Sequence, residues 1–178
     1  MDVASKGVVL LRNKILVMSA MFIGLIVLVI LNISIPNGIG GVIHFGDSLL
    51  FIGATMLPKP YSLFVAALGP GIFNLVSPLG LVMWFPFTIV IKPIMALCFT
   101  NKGDTILGPI RNRIAPFLGA GINTVLYAVG NMILFDNWAS GVASLPGLVI
   151  QGVGSIAFFF VFALALDVAR VKKRVLLK

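Results

Sequence analysis

Few side chains in this chain could do chemistry. They are one histidine (His44), one cysteine (Cys98), five acidic residues, and a handful of amides, aromatics and cations set among apolar residues. Within the apolar segments no two carboxylates lie close together, so the pair needed for acid–base work is missing. His44 and Cys98 belong to unrelated segments and make a poor base and nucleophile. No His/Cys cluster has metal spacing, and no glycine-rich loop ends in Gly-Lys-Ser or Gly-Lys-Thr to hold a nucleotide. The expectation is therefore no catalytic residue and no metal ligand set. What remains suits recognition. Trp84 and Tyr127 can stack on a ring, and Asn74, Asn131 and Gln151 can both donate and accept hydrogen bonds. A cavity walled by such groups fits a small, flat, polar heterocycle.

The surroundings are those of a bilayer. The 178 residues are 60% hydrophobic and 10% charged, with a mean hydropathy of +1.14. A soluble domain is usually about a quarter charged, so this chain cannot clothe itself in a polar surface. At about 20 residues per helical span it holds roughly six spans in one compact domain. The expected fold is an all-α integral membrane protein, a single six-helix bundle over residues 1–178 with short basic tails at 1–14 and 170–178. The first apolar segment is long enough to span and lacks a clear small-residue cleavage site, so no cleaved signal peptide is expected. Cys98 has no second cysteine to pair with.

The spans read as 15–33, 46–58, 61–76, 81–99, 114–135 and 145–169. Pro70 and Gly71 predict a kink in the third. The 36–41 stretch is glycine-rich, as a turn or a close backbone approach requires. Asp47 opens the second span, where a carboxylate suits the positive end of the helix dipole. The net charge of +8 is read as loop charge rather than nucleic-acid affinity. With six spans, all 13 Lys and Arg residues except Lys92 fall in the tails, the Lys59 turn and the 100–113 loop, on one side. The three opposite loops hold none. That asymmetry makes both termini cytoplasmic.

Once the orientation is set, depths follow. His44, Asp47, Asn74, Trp84, Tyr127, Asn131 and Gln151 all fall in the outer half of the bundle. Tyr127 and Asn131 share one helix face. Each has a plainer reading: a lone aromatic anchors at the interface, as expected of Trp138, and a lone Asn glues helices together. Lys92, deep in the fourth span, has two. In the plainer one it snorkels toward the cytoplasm or binds a carbonyl freed by Pro93; in the other it is a charge at the cavity floor or a partner contact. Residues 35–58, which hold His44 and Asp47, are expected to form a lid and one wall of the site, with Asp47 alternatively a cap on the second helix. No broken inverted repeats suggest a self-sufficient transporter. The chain can bind a solute, and nothing in it powers uphill transport. Other classes left open are a small membrane enzyme and a structural or assembly subunit without ligand.

These features resemble the substrate-binding (S) components of energy-coupling factor (ECF) vitamin transporters along nearly the whole chain. The resemblance lies in the size, the six spans, the basic tail, the Gly46-Asp47 start of span two and the Pro58-Lys59-Pro60-Tyr61 turn. The run Pro86-Phe87-Thr88-Ile89-Val90-Ile91-Lys92 looks like a Pro-x-Thr-x-x-x-Lys pattern common in such components. Ala20-x-x-x-Gly24 is similar to their small-residue motif on helix one, although Gly24 stands where Ala is typical. Asn74 stands where many members carry an acid. The resemblance implies a protein of the bacterial plasma membrane that captures a vitamin or precursor outside. It implies docking through Ala20 and Gly24 on a membrane-embedded coupling (T) subunit driven by two ATP-binding cassette ATPases. The chain itself needs no cofactor, because ATP is bound by those partners. A small aromatic and amide pocket without a clear charge pair favours a hydroxymethylpyrimidine or pyridoxine type of ligand.

Overall fold

A computed structural model of the chain describes residues 3–36 and 42–176. Residues 37–41, most of the glycine-rich stretch, lie outside that range. Helices dominate, and three of them are long and apolar enough to cross a membrane.

Helix α1 runs Val3–Asn32. It starts well before the expected position 15, because the basic N-terminal stretch contains no helix breaker stronger than Gly7. One stripe faces inward, with Ser19, Ile26 and Ile30 buried. The rest, including Val17, Met21 and Leu28, is exposed apolar surface. A soluble protein would not tolerate that surface, and a lipid would.

Strands β1 (Ser34–Pro36) and β2 (Val42–His44) pair antiparallel, with Ser34 opposite His44 and Pro36 opposite Val42. A small hairpin thus interrupts the otherwise helical fold. Helix α2 (Gly46–Met56) follows and is nearly wholly buried. Its 11 residues rise about 16 Å, far less than the roughly 30 Å of a hydrocarbon core. It is a central post rather than a full span, packed by α1, α3 (Lys59–Val76), α4 (Phe85–Leu97) and α6 (Trp138–Val168). Its entry needs glycine. A Cβ on Gly46 would lie 2.5 Å from Ile30 Cγ1 of α1, a distance that only a side-chain shift could relieve.

Helix α3 continues through Pro70. A turn at Gly80, in the left-handed region with φ 69°, leads into a 3-10 turn over Leu81–Trp84 and then α4. Helix α5 spans Ile110–Leu134. Helix α6 starts earlier than the expected position 145, because the Asn137 side chain caps it by accepting from the Ala139 amide. Pro146 therefore lies inside α6. A short α7 (Val171–Leu176) ends the description.

The basic loops are tied together at one end. Lys59 Nζ donates to the Leu97 and Phe99 carbonyls, at 3.3 and 2.9 Å. Arg111 donates to the carbonyls of Leu97 and Cys98. Together they satisfy the free carbonyls at the C-terminus of α4. From α6, the Asp167 carboxylate accepts from two successive amides of the 98–109 loop, Ile106 at 2.6 Å and Leu107 at 2.9 Å. Asn112 bridges Thr100 and Ile106 in the same loop. Above this end Phe51 stacks on Phe99 at 4.8 Å and meets Phe159 edge-on.

Candidate substrate-binding site

The ends of the helices remote from the basic loops surround a cavity. Helix α3 contributes Asn74, the 3-10 turn Trp84, α4 Thr88 and Lys92, α5 Tyr127 and Asn131, and α6 Gln151. The hairpin closes one side with Val42 and His44. Of the eight residues expected at a site, seven line this cavity: His44, Asn74, Trp84, Lys92, Tyr127, Asn131 and Gln151. Asp47 lies beneath it, 2% exposed, and bonds to two of the lining residues.

Helical periodicity explains the convergence. Asn123, Tyr127 and Asn131 recur every four residues on one face of α5, and Thr88 and Lys92 do the same on α4. Pro86 in the first turn of α4 starts that helix without an unsatisfied amide. Two polar groupings result. In the upper one, Asn74 Nδ2 donates to Thr88 Oγ1 at 2.6 Å, and Thr88 Oγ1 shares a 2.8 Å hydrogen bond with the Tyr127 hydroxyl. In the lower one, Lys92 Nζ donates to Asp47 Oδ1 at 2.6 Å and to Asn123 Oδ1 at 2.8 Å. Gln151 Nε2 donates to Asp47 Oδ2 at 2.9 Å. Lys92 Nζ also sits 5.1 Å from the centroid of the Tyr127 ring, within cation–π range, and so joins the two groupings.

Expectations are decided or corrected here. Of the two readings of Lys92, the structure has the charge at the cavity: it neither snorkels nor binds a carbonyl freed by Pro93, and its side chain is 1% exposed and paired. The site does contain a charge pair, contrary to the reading of an aromatic and amide pocket without one. Asp47 makes no capping hydrogen bond to α2, and its two oxygens are spent on Lys92 and Gln151. Burial of two ions is costly unless the geometry is good and further hydrogen bonds support them, and here Asn123 and Gln151 supply such bonds.

The aromatic wall is built from Trp84, tilted against Tyr127 with centroids 5.8 Å apart and edge-on to Phe87. His44 meets Phe73 edge-on. Burial pushes the His44 imidazole down to about 4, with the Asp47 carboxylate opposing and Lys92 reinforcing the shift. His44 is thus neutral at ordinary pH. Asn131 donates its amide N–H to the Tyr127 carbonyl at 3.0 Å. Its Oδ1 is buried and has no hydrogen-bond partner among the described residues. A buried amide oxygen at the rim of a cavity with no donor is an acceptor waiting for one.

Sequence reasoning missed Thr88 and Asn123 as site residues. Both carried a signal: each sits four residues from a group that was singled out, Thr88 from Lys92 and Asn123 from Tyr127. Trp138, expected to be an interfacial anchor, is 72% exposed at the start of α6 and away from the cavity.

A family model described as "ECF-type riboflavin transporter, S component" matches residues 11–167. Comparisons with curated proteins and with solved structures gave no match.

Proposed function

The chain belongs to the ECF-type riboflavin transporter S-component family, and from that membership and the cavity we propose that it captures a small vitamin or vitamin precursor outside a bacterial plasma membrane for ATP-driven uptake. As an S component it is a substrate-binding subunit of a transporter and not an enzyme. It works in the membrane beside ECF T and ATPase subunits. In our reading these are one coupling subunit and two ATPases, which bind the ATP, so this chain needs no cofactor of its own.

The topology we assign is six passes, α1 to α6, with both termini cytoplasmic. The short α2 is the second pass, and the hairpin lies above it on the outer side. The tying of Lys59, Arg111 and Lys172 around the 98–109 loop supports this, because it gathers cations at one end. The cavity then opens outward, and the hairpin is its lid.

The observation that carries the reading is the cavity itself, rimmed by Trp84, Tyr127, Asn131 and Gln151, with Asn131 Oδ1 and His44 Nδ1 unfilled among the described residues. Its free space is about 50 Å³, room for a few waters at about 10–15 Å³ each on that measure. A single ring such as hydroxymethylpyrimidine or pyridoxine is nearer to that size than the three fused rings of riboflavin. Riboflavin, named in the family's description, is the second reading.

For docking on the coupling subunit we assign Ala20 and Gly24. Ala20 lines an apolar groove between α1 and α3 with Leu16, Ile23, Tyr61 and Phe64, and both small residues are exposed. Titration of the purified chain with a panel of vitamins, read by Trp fluorescence, tests the capture reading. A submicromolar response to one member is expected; silence across the panel would sink it.

A further inference from the structure

The ion pair beneath the cavity leaves no charge over for a ligand. Both Asp47 oxygens are occupied, one by Lys92 and one by Gln151. The Lys92 ammonium has three N–H groups and three neighbours: Asp47, Asn123 and the face of the Tyr127 ring. Neither ion is open to solvent, at 1% and 3% side-chain exposure. Of the other titratable groups on the wall, His44 is buried and the Tyr127 hydroxyl is bonded to Thr88. The unfilled valences on the wall, among the described residues, are a neutral acceptor, Asn131 Oδ1, and the imidazole nitrogen His44 Nδ1.

Resting on the capture reading above, we propose that the Asp47–Lys92 pair makes this a site for uncharged ligands. The ligand is a neutral nitrogen heterocycle that offers an N–H or O–H to Asn131 Oδ1, and its phosphorylated or carboxylated forms are rejected. A phosphate or carboxylate entering the cavity meets no free cation among the described residues. To gain one it must pull Lys92 from Asp47 and strand that carboxylate in a low-dielectric interior. An ammonium faces the mirror problem. Specificity here comes from the cost of an unpaired charge as much as from contacts to the right ligand.

The test uses the full chain in detergent and matched probes: pyridoxine and its 5′-phosphate, hydroxymethylpyrimidine and its phosphate, riboflavin and its 5′-phosphate. In the pair that binds, the neutral member is expected to bind at least about 100-fold tighter. Asp47→Asn leaves Lys92 without its counter-ion and is expected to narrow or reverse that gap. Equal wild-type affinity for both members overturns the inference and leaves the capture reading standing. A gap unchanged in a folded Asp47→Asn protein overturns the assignment to the ion pair. Should that variant not fold, the wild-type comparison decides alone. No binding by any probe overturns this inference, and silence across the wider vitamin panel removes the capture reading as well.

Discussion

Lys92 Nζ lies 2.6 Å from Asp47 Oδ1, although 45 residues separate them in the chain. The contact joins α2 to α4 across the middle of the bundle. Removing one partner strands the other. Lys92→Met alone is expected to destabilise the protein by about 3–5 kcal/mol. The double variant Lys92→Met/Asp47→Leu replaces both ions with apolar groups and is expected to recover most of that loss. Unfolding in detergent measures both, and additive losses would show that the pair is not coupled.

Asn131 and Trp84 carry the ligand in this account. Asn131→Ala removes the waiting acceptor, and binding of the identified vitamin is expected to fall about 10- to 100-fold. Trp84→Ala opens the aromatic wall and is expected to cost at least as much. Trp138→Phe changes an exposed residue remote from the cavity and leaves affinity as in wild type. Calorimetric titration reads all three, and full affinity in both cavity variants would place the site elsewhere.

His44 gives the fold a pH dependence of known sign. Its folded value is held at about 4, chiefly by burial, whereas an exposed histidine titrates near 6.5. Above 6.5 neither state binds the proton and the full stability is present. As pH falls from 6.5 toward 4, the unfolded chain binds a proton that the folded chain does not, and stability drops. Melting temperature is therefore expected to decline between pH 6.5 and 5, and His44→Phe to flatten that decline. An unchanged slope in the variant would mean that His44 is not the group responsible.

Bulky residues at Ala20 and Gly24 test the docking face. A Cβ placed on Gly24 meets nothing within 4 Å, so a side chain introduced there starts into open space. Ala20→Phe/Gly24→Phe is expected to abolish uptake in cells while the purified protein binds its vitamin normally. Uptake at the wild-type rate would refute the assignment.

Much of this was legible in the sequence. The polar recurrence along α5 and the mean hydropathy pointed to an all-α membrane protein with aromatics and amides gathered at one end. The Asp47–Lys92 contact was not legible. Each residue sits in a segment that reads apolar, and nothing local marks a partner so far away. The hairpin was missed because strands of three residues carry too little alternation to stand out beside a glycine-rich stretch. The true start of α6 was hidden by Pro146, which suggested a first helical turn and lies inside the helix instead. The Asp167 clamp on Ile106 and Leu107 was invisible because its partners are backbone amides, which every sequence has.

The balanced pair also bears on the membrane voltage. One elementary charge moved across the bilayer does work of about 2.3 kcal/mol per 100 mV. Lys92 and Asp47 travel together and cancel, so a loaded chain that turns or tilts in the bilayer carries no net charge at that depth through the electric field. The pair itself therefore adds no voltage dependence to a step that moves it through the membrane.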